Sequence, residues 1–267
     1  MNNVIGTGQQ GFVYLGQNKN KPEQKFAVKI IEMDKSDRIK LQTIVNELKV
    51  MEKFDSPYIV KLISKFKSNN NMYIIMEYCE QGNLQSYLNN CPQIPEEQIL
   101  KFLAQIIQGY QQLVQKNVIH RDLKPENIFL HNNKALIGDF GLAHLLQTEN
   151  GGTRLDKYMT VAGSPNYRSP QLLYENEEKI VYANNKCDVW SLGVISYEAS
   201  QKQKPWTGNT IQELKQNIKT KQLQFKRPIS LEFKRLIQSM LQYREDKRIS
   251  WEQLYKNELI QQYMQSP

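Results

Sequence analysis

His120-Arg121-Asp122-Leu123-Lys124-Pro125-Glu126-Asn127 is the stretch on which this chain turns. Before it lies a long amphipathic run that opens at Pro95-Glu96-Glu97, where acidic residues favour the positive end of a helix. Ile99, Leu103, Ile106, Ile107, Tyr110, Leu113 and Val114 form its apolar stripe and read as core. A short apolar segment, Val118-Ile119, then delivers the chain to the loop. Seventeen residues beyond Asp122 comes Asp139-Phe140-Gly141. A helix thus leads into two loops rich in carboxylate, amide and ammonium groups.

Nearer the N-terminus, Gly6, Gly8 and Gly11 fit G-x-G-x-x-G, and Val13 extends it to G-x-G-x-x-G-x-V. Glycines let a backbone lie close over phosphates that side chains would block. Alone the pattern also suits a dinucleotide fold or an ordinary hairpin. A dinucleotide fold needs a helix directly after the glycines, and Phe12-Val13-Tyr14-Leu15 is strand-like instead, so the expectation is a hairpin lid. Phe26-Ala27-Val28-Lys29-Ile30-Ile31 is a strand with one Lys among apolar residues. Ile44, Val45, Leu48 and Met51 fall at helical spacing, with Glu47 among them, eighteen residues after Lys29.

Together these segments resemble the eukaryotic protein kinase family over nearly the whole chain, and Lys124 resembles its serine/threonine branch. The resemblance implies an α+β fold of two lobes. A β-rich small lobe would cover about residues 1–78, a hinge about 77–82 and a mainly helical large lobe about 83–267. It implies ATP and Mg2+ as cofactors and phosphoryl transfer to Ser or Thr of protein substrates. A catalytically impaired scaffold is the alternative. Asp122 is expected to orient the substrate hydroxyl and accept its proton, and Lys124 to steady the γ-phosphate. Asn127 and Asp139, both hard oxygen ligands, suit Mg2+. Lys29 would grip the α- and β-phosphates, positioned by an ion pair with Glu47. Ile5, Gly6, Gly8 and Gly11 belong to the nucleotide lid, with Val13 and Ala27 as roof over the adenine. Met76 takes the gatekeeper position, Glu77 to Cys79 form the hinge, and Phe129 the floor. His120 and Phe140 are read as packing supports.

The activation segment would run from Asp139 to Pro170. Within it Thr160 aligns with the activating phosphosite, whose phosphate would pair with Arg121; an upstream activating kinase is thereby implied. Ser164 is expected to contact Asp122 and Lys124. Asp188 would hold the catalytic-loop backbone. Gly163-Ser164-Pro165-x-Tyr167 and the Tyr78-Cys79 hinge look most like the Unc-51-like, autophagy-initiating group, with NIMA-related and calcium/calmodulin-type kinases as competitors. Two departures stand out. Neutral Asn83 occupies a position where many relatives carry an acid. Ser169-Pro170-Gln171 replaces A-P-E, so the buried Arg that pairs with that Glu in relatives, here Arg248, lacks its carboxylate. A looser segment or a substitute acceptor is the expectation, since stranding a buried charge costs on the order of 3–5 kcal/mol.

The bulk properties set bounds. With 267 residues and 40% hydrophobic content, the chain can build one large domain or two packed lobes. No run reaches the roughly 18 apolar residues of a membrane span, so no membrane segment is expected. No secretion signal is evident. Cys79, Cys91 and Cys187 are odd in number and widely spaced, which fits a reducing, intracellular setting, most simply the cytoplasm. The net charge of +8 is carried by scattered lysines without an aromatic-basic ladder, so no nucleic-acid partner is expected.

Overall fold

The computed structural model describes residues 3–8, 11–34, 37–145, 153–155, 164–173 and 181–264. Five strands, β1 (Val4–Gly8), β2 (Gly11–Gln17), β3 (Lys25–Glu32), β4 (Leu62–Ser68) and β5 (Asn71–Glu77), form one antiparallel sheet in the order β1-β2-β3-β5-β4. Helix α1 (Arg38–Met51) is inserted between β3 and β4. Asp37 caps it through the Lys40 amide. Its apolar spacing turns Ile44, Leu48 and Met51 inward, while Val45 is 42% exposed and lies outside the buried stripe.

After β5 the chain is mainly helical: α2 (Leu84–Asn90), α3 (Glu96–Gln115), α4 (Lys186–Gln201), α5 (Ile211–Thr220), α6 (Leu231–Met240), α7 (Trp251–Tyr255) and α8 (Glu258–Gln261). Short strands β6 (Val118–Ile119), β7 (Ile128–His131), β8 (Lys134–Ile137) and β9 (His144–Leu145) sit between α3 and α4, followed by β10 (Thr153–Leu155) and β11 (Val181–Ala183). Strand β6 pairs with β9 and β7 with β8. The α+β architecture read from the sequence is therefore present.

Helix α3 buries Ile99, Leu103, Ile106, Ile107, Tyr110 and Leu113 as its spacing requires, but Val114 lies at its solvent edge. Glu96, in its first turn, also receives hydrogen bonds from the Ser230 amide and hydroxyl at the start of α6. Helix α4 buries fourteen of its sixteen residues, so it is enclosed on nearly every side and forms the post around which the helical half packs. The two halves share one core that includes Ile31, Ile44, Ile74, Phe140 and Trp190. Backbone bonds from Val60 to Ile137 and from Ile137 to Tyr58 tie the segment before β4 to β8. That junction sets the sheet over the loops that carry the polar residues.

Candidate active site

The loop after β6 is pinned from below. Asp188, fully buried at the start of α4, accepts from the amides of His120 (2.6 Å) and Arg121 (2.9 Å). Arg121 has φ 65° and Asp139 φ 55°, a region that non-glycine residues enter at a cost of order 1 kcal/mol or more. Arg121 is buried, its Nε donating to the Leu142 carbonyl at 2.6 Å, whereas Asp139 is part-exposed. His120 and Phe140 are fully buried with ring centroids 5.2 Å apart, and a His120 ring nitrogen bonds the Gly138 carbonyl at 3.0 Å. They pack and tie the two loops together, as expected of supports.

Asp122 collects ligands from three directions. Its Oδ1 accepts from the Ser164 amide at 3.1 Å. Its Oδ2 lies 2.9 Å from the Lys124 ammonium and accepts from the Asn127 amide nitrogen at 3.0 Å. Lys124 also donates to the Ser164 hydroxyl at 3.2 Å. The contact of Ser164 with both Asp122 and Lys124, expected from the sequence, is thus made. Asn127 donates a second bond to the Asp122 carbonyl at 2.8 Å.

Across the cleft, Lys29 on β3 bonds Glu47 on α1 at 2.6 Å and stands 3.7 Å from Asp139. Burial works against the Lys29 charge, but the Glu47 and Asp139 carboxylates outweigh it and hold the ammonium above its ordinary range. Burial lifts the Glu47 carboxyl above its usual range, with Lys29 opposing. The second Glu47 oxygen is buried without a partner among the described residues. One ammonium is therefore shared by two acids, one of which, Asp139, is part-exposed to the cleft.

The expected adenine site lies between the sheet and β7. Met76 pairs with Ala27 across the strands, and Val13 pairs with Lys29. Met76 and Phe129 pack on a small cluster of Val60, Cys79 and Leu136. The Phe129 ring fills the space beside Gly138: a Cβ there would stand 2.8 Å from two ring atoms. Gly138 is a residue of this pocket that the sequence reading missed, since its contact with Phe129 is made only by the fold. At the hinge, the Glu77 carboxylate accepts from the Lys61 amide at 2.5 Å, and the Cys79 carbonyl accepts from Gly82. The Cys79 amide makes no bond among the described residues. Burial, with Glu77 and Glu80 adding to it, pushes the Cys79 thiol up to about 12.

The lid glycines differ in their reasons. A Cβ at Gly11 would meet the Ile30 carbonyl oxygen at 2.1 Å, so glycine is required there by the approach of β2 to β3. At Gly6 a Cβ would make only an ordinary contact with Val13, so the fold itself leaves room. Ile5 is 41% exposed on β1. Asn83, the neutral residue noted above, caps α2 by accepting from the Ser86 amide at 2.9 Å. Thr160 lies outside the described residues, as does Gly163.

Asn127 and Asp139 both present oxygen donors, and the surrounding cations, Lys29 and Lys124, are already paired to carboxylates. This donor set fits Mg2+ carried with a polyphosphate. Among the described residues no group of three or more His, Cys, Asp or Glu gathers as a metal cluster. No described helix is long and apolar enough to cross a membrane.

Residues 1–260 match the protein kinase domain family, and the chain belongs to it, on the serine/threonine side. It is 31% identical to the serine/threonine-protein kinase nekl-2 of Caenorhabditis elegans over 98% of this chain and 74% of that protein. To the probable serine/threonine-protein kinase MARK-A of Dictyostelium discoideum it is 33% identical over 94% of this chain and 23% of that protein. To the serine/threonine-protein kinase atg1 of the same organism it is 29% identical over 96% of this chain and 38% of that one. The chain thus spans between about a quarter and three quarters of these relatives. Identities this close together single out no group, so the Unc-51-like likeness stands beside the others.

Proposed function

We propose that this domain transfers the γ-phosphoryl group of ATP to Ser or Thr hydroxyls of protein substrates. The observation that carries the reading is the convergence of Lys124, Asn127 and Ser164 on the Asp122 carboxylate. A carboxylate so fixed can orient a hydroxyl for in-line attack and take its proton as the new O–P bond forms and the bond to ADP breaks. Lys124, within reach of both Asp122 and Ser164, lies where charge on the transferring group would be stabilised. Lys29, held by Glu47, is aimed at the α- and β-phosphates. The Cys79 amide and the Glu77 backbone bond the adenine between Val13 and Ala27 above and Phe129 below. Asn127 and Asp139 would hold Mg2+, which when bound neutralises phosphate charge.

Regulation by an upstream kinase acting on Thr160, and work in the cytoplasm, belong to the same reading. The three cysteines stand unpaired, in keeping with a reducing compartment.

The test is phosphate transfer from ATP·Mg to a mixed Ser/Thr peptide library, with Asp122→Asn alongside. Transfer that disappears in the variant supports the reading. No transfer by the parent chain, even after Thr160 has been phosphorylated, would sink it in favour of a scaffold.

A further inference from the structure

Asp188 accepts a third strong hydrogen bond besides those from the His120 and Arg121 amides. The Tyr110 hydroxyl donates to its Oδ2 at 2.5 Å, the same oxygen that holds the His120 amide. The Cys187 thiol, 3.9 Å from Oδ1, is a far weaker donor. The sequence offers no hint of this, because Tyr110 lies in the apolar stripe of α3 and reads as core.

The geometry makes the phenol a fixed point. Tyr110 is fully buried and stacks on Trp251 of α7, with ring centroids 3.5 Å apart and planes 7° from parallel. Trp251 in turn donates through its indole nitrogen to the Asn185 carbonyl at 2.7 Å, at the cap of the helix that carries Asp188. The hydroxyl is therefore held by α3, α4 and α7 together. Burial, and then the Asp188 charge, keep the phenol well above its usual range, so it remains a donor at working pH.

Its load is the strained turn before Asp122. Arg121 sits at φ 65°, and the two amides that lead into that kink, those of His120 and Arg121, both donate to Asp188. A buried carboxylate with two backbone donors can still rock about its Cα–Cβ and Cβ–Cγ bonds; a third donor from a rigid ring removes that freedom. We propose that Tyr110 is a positioning residue for phosphoryl transfer: through Asp188 its hydroxyl fixes the backbone of His120 and Arg121, and with it the aim of Asp122. The proposal rests on the role given to Asp122 above.

Tyr110→Phe keeps the ring and the stack and removes only the hydroxyl. Its kcat for peptide phosphorylation is expected to fall about tenfold, with KM for ATP and for peptide changed less than about twofold, because only transition-state alignment is lost. Hydrogen exchange at the His120 and Arg121 amides should quicken while α3 stays protected. Tyr197→Phe supplies the structural baseline: it removes the hydroxyl of another core tyrosine, bonded to the Gln224 carbonyl far along the chain from the loop, and should keep its kcat. Wild-type kcat in Tyr110→Phe overturns the proposal. So does an equal kcat loss in Tyr197→Phe, or a change confined to KM. Trp251→Phe, which keeps the hydroxyl but shrinks the stacking surface, should lose kcat in the same direction, and an unchanged kcat there also counts against it. Asp122→Asn run in parallel separates the two readings. Activity surviving in that variant removes the role of Asp122 itself, whereas activity lost there but intact in Tyr110→Phe removes only Tyr110.

Discussion

The side-chain oxygen of Gln171 accepts a hydrogen bond from Arg248 at 3.0 Å, and its nitrogen donates to the Tyr243 carbonyl at 2.8 Å. Arg248 is almost wholly buried, donates also to the carbonyls of Lys186 and Gln242, and lies over the Trp190 ring. Its guanidinium is thus satisfied by neutral acceptors. Burial lowers it to about 10, with the Glu245 charge opposing. The substitute acceptor anticipated from the sequence is Gln171 itself, aided by main-chain carbonyls. Gln171→Glu would turn the already charge-assisted bond to Arg248 into an ion pair and lose the donation to Tyr243. A carboxylate beside a buried guanidinium outweighs the loss of about 1 kcal/mol for that neutral bond, and a net gain near 1 kcal/mol is expected. That corresponds to a melting temperature higher by about 2–4 °C for a domain of this size. An unchanged or lower value in calorimetry would mean that the neutral acceptors already suffice.

Glu47→Gln tests the cleft from the small-lobe side. The variant keeps a hydrogen-bonding group opposite Lys29 and removes the charge. Burial already disfavours the Glu47 charge, so the fold should hold, with a melting temperature within about 3 °C of the parent. Activity should fall about 10- to 100-fold, the equivalent of the ~1.5–3 kcal/mol carried by a charged hydrogen bond. Steady-state kinetics beside a melting curve decides it, and wild-type activity would remove the ion pair from the mechanism. The sign with pH follows from Lys29. Its folded value lies above the ordinary 10.5, so the Lys29 charge contributes stability through the neutral range that is lost as pH rises through the folded value, while the raised Glu47 carboxyl works in the opposite sense above its ordinary 4.5.

Phe129 and Gly138 should be coupled. Gly138→Ala would place a Cβ 2.8 Å from the Phe129 ring and 2.9 Å from a Val60 methyl, so the ring must shift into the proposed adenine site. Overpacking of this kind costs about 1–3 kcal/mol, and nucleotide affinity should weaken with it. Phe129→Leu in the same chain should restore most of the loss. A double-mutant cycle on nucleotide binding should return a coupling of at least about 0.5 kcal/mol; strict additivity would mean that the two residues do not share the space.

Cys79, at the hinge, should resist thiol reagents despite bordering the cleft. The thiolate is the reactive form, and a thiol pushed up to about 12 supplies very little of it near neutrality. Iodoacetamide labelling of the native chain, mapped by peptide mass, should leave Cys79 unmodified at pH 8. Labelling should then rise about tenfold per pH unit toward 12. Rapid native labelling at pH 8 would contradict the burial seen here.

Much of the site was legible because its chemistry is local in sequence. The run from His120 to Asn127 places an acid, an ammonium and an amide within one loop, and such spacing survives any tertiary arrangement. The Lys29–Glu47 contact was inferred across eighteen residues only because a strand Lys and a helix Glu had a family pattern to join them. Tyr110 and Gly138 were not legible. A tyrosine in an apolar helical stripe and a glycine before a turn carry no periodic signal, and their roles come from what the fold sets opposite them.

By itself, the sequence determined which segments are strand or helix, the α+β class and the polar residues of the two loops, since periodicity and short spacings act within a few turns of chain. Only the tertiary structure decided how the remaining obligations are met. Arg248 finds Gln171 and two carbonyls, Asn83 turns to capping α2, and Asp188 takes the Tyr110 hydroxyl. Buried polar groups must find partners, and which partner is in reach is fixed by packing between elements distant in the chain.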